Sequence, residues 1–291
     1  MEKIEKETNG RVKFKPYWGG QVIGGLNAVD ELAAGVADIA YIQPNNTKTG
    51  FALCKVMQLF FAGADWDSAV RAWKQLRVKF PEIDKEYADA KVKPLQDSAT
   101  TSELLTRKPV RKLEDLKGTR IRVVGGDLVK VLKTVGAEGI TTSTSEMYTG
   151  LQKGIIDGIF GLTEGLESLK LADVIKYVTM YDSLQAPYAG RAMNLDKWKS
   201  LPPDIQKVFE NNVDFWSKAT EESLSSAGAH ALDYAKKRGV EAITVSKEEK
   251  ERWNKLLLSV AEKNAKELDA KGFRATQILQ ETQRLIRQNG K

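Results

Sequence analysis

Residues 107–161 read RKPVRKLEDLKGTRIRVVGGDLVKVLKTVGAEGITTSTSEMYTGLQKGIIDGIFG. Within them, 119–124 suit a strand, with Arg120 and Arg122 on one face and Ile121 and Val123 on the other. Gly125-Gly126 turns the chain, and Leu128, Val131, Leu132 and Val135 then recur at helical spacing. A strand over 139–142 follows. Ser143 and Glu146 stand in capping-box spacing before a helix over 145–153, which Gly154 ends. A short strand over 155–161 closes the stretch. This alternation predicts an α/β fold with a parallel sheet. Arg122 ends the first strand, and open α/β sheets take ligands beyond the carboxyl ends of their strands. A guanidinium there offers two parallel N–H groups to a carboxylate. Arg122 is therefore a candidate to hold an acid, a salt bridge to a carboxylate of the protein being the alternative.

The glycine pair is not a phosphate loop. It lacks the full glycine spacing and the Lys-Ser/Thr pair. Asp127 would cap the helix itself and oppose a bound phosphate.

The totals narrow the classes. The chain has 291 residues, room for two domains, and is 42% hydrophobic and 29% charged, which suits a folded protein. Its net charge of +6 is spread among interleaved acids, so no nucleic-acid partner is expected. The one cysteine, Cys54, forms no intrachain disulfide, and with the one histidine, His230, it makes no Cys/His zinc centre. Cys54 lies in the apolar run FALCKVMQLFF and reads as a buried small hydrophobe. His230 reads as a helix-face residue. No cofactor or metal is expected. No apolar run approaches the roughly 20 residues of a membrane helix.

Upstream, 1–8 read as the last turns of a helix ended by Asn9-Gly10. A strand over 11–17, a glycine-rich loop, a helix over 26–34 and a strand over 37–42 make a β-loop-α-β unit of a parallel sheet. QPNNTKTG (43–50) follows that strand, which makes Gln43, Asn45 and Asn46 candidate ligand contacts. A helix over 65–79 carries Trp66, Val70, Trp73 and Val78 as its apolar set. Extended segments follow around Val92 and over 102–105. Downstream, strands are expected near 173–180 and 188–195. Pro202-Pro203 opens a helix over 204–238, long enough to span two lobes. A strand over 241–245, a helix to about 270 opened by Ser246 and Glu249, and a helix over 275–288 complete the chain.

Four segments resemble the extracytoplasmic solute-binding proteins of tripartite ATP-independent periplasmic (TRAP) transporters. They are TNGRVKFKPYWGGQ, KPVRKLEDLKGTRIRV, STSEMYTGLQKGIIDG and NLDKWKSLPPDIQKVFE, in that order along nearly the whole chain. The resemblance implies a two-lobed α/β fold of the periplasmic-binding-protein type, with a cleft between lobes and a long helix spanning both. It implies lobe I over 1–99 and 187–226, and lobe II over 100–186 and 227–291. It implies a periplasmic receptor, a monomer and not an enzyme, that captures a small organic acid and delivers it to TRAP permease membrane subunits. The family's ligand arginine falls on Arg122.

The sequence also departs from the family. A second ligand arginine, twenty residues earlier, is Ser102 here, and an asparagine four residues after Asp157 is Gly161. Both changes remove polar contacts and point away from sialic acid and a standard C4-dicarboxylate. Gly161 would open room for a more apolar site lined by Phe160, Tyr188 and Trp18, with Thr142 or Thr144 opposite and Arg191 as a replacement charge. A keto, hydroxy or aromatic carboxylic acid is expected. The family's signal peptide, first strand and most of its first helix have no counterpart, so the chain is expected to be truncated at its start and the full-length form exported. A ligand-sensing module of the same fold is the alternative. An enzyme would have only Glu164 and Asp157 to work with, without a histidine partner.

Overall fold

Hydrogen bonding sorts the strands into two sheets. The computed structural model describes residues 1–47, 49–123, 126–181 and 185–289, with the side chains of Leu26, Asn46, Gln185 and Ala186 outside that description. The chain opens with α1 (Glu2–Glu7), α2 (Ala28–Ala33) and β1 (Ile39–Tyr41). Next come α3 (Ala52–Met57), α4 (Trp66–Lys79), α5 (Glu82–Asp89) and β2 (Val92–Thr101). The middle holds β3 (Glu103–Thr106), β4 (Arg120–Val123), α6 (Gly126–Thr134), β5 (Glu138–Thr141), α7 (Met147–Gln152), β6 (Gly158–Gly161), α8 (Gly165–Ser168) and β7 (Tyr177–Met180). Then follow β8 (Gln185–Asn194), α9 (Leu195–Ser200), α10 (Pro203–Asn211), α11 (Val213–Lys236), β9 (Glu241–Thr244), α12 (Lys247–Asp269) and α13 (Ala275–Asn289).

The first sheet runs β1-β8-β2, with β8 antiparallel to both neighbours. This corrects the parallel unit expected over 11–42. Residues 11–17 make no ladder among the described residues. Instead Glu5 accepts from the Phe14 N–H at 2.9 Å, and the Phe14 ring packs edge-on against Phe209. The place beside β1 is taken by β8, from far along the chain. Alternation marks which residues are apolar, not which strand supplies the partner.

The second sheet runs β5-β4-β6-β3-β7-β9. β4 is parallel to both β5 and β6, as the opening stretch predicts. β3 is antiparallel to β6 and β7, and β9 adds parallel to β7. Gly158 sits where a Cβ would lie 2.6 Å from Thr106 and 2.8 Å from the Leu105 carbonyl, so only glycine lets β3 approach β6 this closely. The capping box before α7 forms on its Glu146 side, whose carboxylate accepts from the Ser143 N–H at 2.9 Å. Asp127 does not cap α6 from outside. It stands in the first turn, where burial raises its carboxyl pKa and Lys130 lies 3.3 Å away.

Three segments cross between the sheets, each of which stands in one of the two lobes of the fold. Ser102 alone separates β2 from β3. β8 returns the chain from the second sheet to the first. α11 is the third crossing: it packs on β2 at one end and on α8 at the other. On β2, Ser217 Oγ accepts from the Asp97 N–H at 3.0 Å. At the other end, Gly228 leaves no space for a side chain, since a Cβ would stand 2.6 Å from Thr163 Oγ1. The single helix expected over 204–238 is in fact broken at Asn212. The Asn212 amide donates to the Val208 carbonyl at 2.9 Å and to Glu7 at 2.5 Å, and this local competition interrupts the helical ladder.

Asp65 caps α4 by accepting from the Ser68 N–H at 2.8 Å. Trp73 and Leu76 are fully buried on its inner face, but Val78, counted among the apolar set, is 87% exposed. α12 packs on α3 and α6, and α13 lies along α4, so the C-terminal hairpin touches both lobes. Ser246 caps α12 as expected. Its partner Glu249, however, turns away to accept from the Leu113 N–H at 2.7 Å.

Candidate functional site

Arg122 lies in the middle of the second sheet, in register with Ile140 on one side and Ile159 on the other. It is only 4% exposed. Its Nε and Nη2 both donate to the Thr142 carbonyl, at 3.2 and 2.8 Å. That shared acceptor fixes one edge of the guanidinium and leaves its end, Nη1 and the second Nη2 hydrogen, without a described protein partner. No carboxylate lies within ion-pair distance among the described residues. Burial alone pushes the Arg122 pKa down to about 10. A buried guanidinium without a counter-ion is costly, by several kcal/mol in order of magnitude. An arriving anion would remove that cost. Gly125, beyond β4, lies outside the described residues.

Asp157, two strands away in sequence, is not available for chemistry. Its carboxylate accepts from Arg120 Nε and Nη2, each at 3.1 Å, and from the Arg120 N–H at 2.9 Å. Burial, the largest single effect, pushes its pKa up, but the Arg120 hydrogen bonds and the Arg120 and Arg107 charges together hold it below the usual range, and the group serves to tie β4 to the start of β6.

A second group of polar side chains gathers in the first lobe. The Tyr41 and Tyr188 hydroxyls meet at 2.5 Å, and Gln43 Nε2 donates to the Tyr41 hydroxyl at 3.1 Å. Burial raises the Tyr188 phenol well above its ordinary pKa. Arg191 Nη1 donates to Gln96 Oε1 at 2.8 Å and to Thr220 Oγ1 at 3.3 Å. Its guanidinium lies 5.5 Å from the Trp216 ring centre and 6.0 Å from that of Tyr41. Burial lowers its pKa. Gln96, fully buried, leaves its Nε2 without a partner among the described residues.

The remaining candidates are scattered. Phe160 is a core residue, not a pocket wall: it is 1% exposed and stacks on Trp253 at 5.5 Å, with Tyr181 on Trp253 at 5.0 Å. Trp18 stands 68% exposed in a turn where Gly19 and Gly20 take positive φ. Thr144 is exposed, and Thr142 contributes its carbonyl. The Asn46 side chain lies outside the described residues. At Gly161 a Cβ would meet only Ile159, at 3.3 Å. Sequence reading missed Tyr41, Gln96, Trp216 and Thr220. Tyr41 alone carried a signal, as the residue ending β1 just before the 43–50 loop.

Among the described residues no nucleophile is paired with a base. Burial raises the Cys54 thiol pKa, and its neighbour is the Tyr87 hydroxyl at 3.8 Å. His230 Nδ1 meets Glu167 at 2.8 Å on the surface. Among the described residues no three His, Cys, Asp or Glu side chains gather to hold a metal, and no helix is long and apolar enough to cross a membrane.

Residues 1–268 match the family model DctP, described as bacterial extracellular solute-binding protein, family 7. The chain belongs to that family. Its members are the binding proteins of TRAP transporters and not enzymes. Among relatives, it is 25% identical over 238 residues to an uncharacterized protein of Salmonella typhimurium, covering 78% of this chain and 72% of the relative. It is 23% identical over 277 residues to a monocarboxylate 2-oxoacid-binding periplasmic protein of Nostoc, covering 91% and 73%. Among solved structures, a TRAP periplasmic solute-binding protein from Desulfovibrio salexigens, in an open complex, superposes with a TM-score of 0.81 at 28% identity, over 98% of this chain and 88% of that one. A TRAP solute-binding protein from Rhodoferax ferrireducens in complex with benzoate gives a TM-score of 0.87 at 23% identity, over 100% and 91%. The family 7 fold has two lobes, in keeping with the two sheets of this chain.

Proposed function

We propose that this protein captures a small organic acid between its lobes, with the Arg122 guanidinium on the ligand carboxylate, and delivers it to a TRAP-type permease from the periplasm. One observation carries the reading: Arg122 is buried, oriented by Thr142 and without a counter-ion. Relatives named for a 2-oxoacid, for 2,3-diketo-L-gulonate and for benzoate support the ligand class, because each of those ligands is a carboxylate. Ser102 and Gly161 leave room where larger polar partners would stand, so a keto, hydroxy or aromatic monocarboxylate fits better than a dicarboxylate.

The first lobe is proposed to hold 1–99 and 187–226 and the second 100–186 and 227–291, the latter's last two helices also packing on α3 and α4 of the first. Gln43 and Gly161 are the other proposed contacts. A thermal-shift screen of benzoate, mandelate, 2-oxoacids, uronates and C4-dicarboxylates tests the reading. A monocarboxylate that raises Tm in wild type and not in Arg122→Ala supports it. A panel in which only dicarboxylates bind, or none do, contradicts it.

A further inference from the structure

Two groups of opposite charge, Arg191 and Glu164, face successive turns of α11, one bonded to Thr220 and the other sharing a groove with Ser223, and each lacks a partner of opposite sign among the described residues. Arg191 belongs to β8 in the first lobe and is held against α11 by Thr220 at 3.3 Å and by the Trp216 ring. Glu164 follows β6 in the second lobe. It lines an open groove of about 610 Å³ together with Ser223, Ser226 and His230 of α11. Among the described residues no side-chain hydrogen bond or ion pair reaches its carboxylate, and burial raises its pKa against a hydrogen bond from its own backbone N–H. Thr220 and Ser223 are three residues apart, about 4.5 Å along the helix. Tyr188 also reports the closeness. Burial and Tyr41 push its pKa up; beyond these, Arg191 lowers it and Glu164 raises it, so both charges reach the one phenol. Burial lowers the pKa of Arg191 and raises that of Glu164, the directions expected of charges that lack a compensating neighbour.

We propose that Glu164 and Arg191 pair across the hinge when the lobes close, and so act as positioning residues that hold the closed form. The inference rests on the acid-receptor reading and moves Arg191 from ligand contact to latch. An ion pair made only in the closed form adds to ligand affinity without touching the ligand, by raising the binding-competent fraction.

Cysteines introduced at Val78 and Ile155, exposed positions on the first and second lobes, carry spin labels, while the native Cys54 is buried and stays unlabelled. The interlobe distance and the affinity are measured in wild type, Glu164→Gln, Arg191→Gln and the double variant, with benzoate, mandelate and a 2-oxoacid as probes. The latch predicts that acid shortens the distance in wild type. Each single variant then binds roughly tenfold weaker, and the double variant binds no weaker than either. Additive losses, a loss in one single variant only, or no loss overturns it. If no acid binds wild type, the acid-receptor reading fails by itself. The latch is then judged in the free protein, where Glu164→Arg, placing two cations against successive turns of α11, must lengthen the distance relative to Glu164→Gln; equal distances overturn it.

Discussion

The Thr142 carbonyl accepts two hydrogen bonds from Arg122, from Nε at 3.2 Å and from Nη2 at 2.8 Å. One backbone oxygen thus aims a buried cation without neutralising it. A carboxylate from the protein in that place would compete with the ligand. A carbonyl does not, since it carries no net charge to be displaced. The arrangement suits a receptor: the site is oriented before the ligand arrives, so less ordering accompanies binding.

The aromatic stack under the sheet fixes the position of α12. Trp253 is fully buried between Phe160 and Tyr181, and its indole N–H has no partner among the described residues. Trp253→Ala is expected to cost about 3–5 kcal/mol in denaturant unfolding. Trp253→Phe keeps a ring in the stack and abandons no hydrogen bond, so it costs less, roughly 1–2 kcal/mol. Equal costs for the two would show that the stack is not what Trp253 contributes.

Gly228 governs how closely α11 approaches the second lobe. Gly228→Ala drives a methyl against Thr163 Oγ1 and should destabilise by about 1–3 kcal/mol. Adding Thr163→Ala removes the obstructing oxygen and should recover most of that loss. Thr163→Ser retains the oxygen and should recover little. Recovery by the serine variant to the same extent would place the strain elsewhere.

Glu281 makes acid stability a local matter on α13. Arg284 donates to its carboxylate at 2.9 and 2.6 Å, and Lys79 of α4 stands 3.1 Å away. These contacts, Arg284 first, hold its pKa down to about 2 against an ordinary 4.5. A depressed carboxyl contributes stability that is complete above its unfolded pKa and is lost as pH falls through the folded one. The Tm of wild type should therefore fall between pH 4.5 and 2 more steeply than that of Glu281→Gln. Parallel curves would remove Glu281 from the account.

The sequence made the second lobe far more legible than the first. β4, α6, β5 and α7 follow one another locally, so periodicity, the Gly154 stop and the Ser143–Glu146 spacing marked them within a few residues. The first sheet depends on β8, which pairs with β1 across about 150 residues of chain, and no local pattern reports such a partner. The helix break at Asn212 was hidden for a related reason: it follows from a side chain reaching Glu7, far away in sequence. Arg122 drew attention in the sequence because a strand end before a glycine turn is a place ligands visit, and its burial could not be read there. Phe160 was misread because alternation could not say that Trp253, from α12, would cover it. Arg191 was visible as a charge, but its setting among Gln96, Thr220 and Trp216 comes from three separate segments.

Titration calorimetry of wild type and Arg122→Met with the tightest monocarboxylate of the screen tests the central claim most directly. The methionine keeps the volume and apolar stem but not the charge. The account predicts a loss of about 2–5 kcal/mol in binding. It also predicts an acid-free Tm no lower than that of wild type, because an uncompensated buried cation has been removed. Wild-type affinity in Arg122→Met would contradict the claim that this guanidinium holds the ligand.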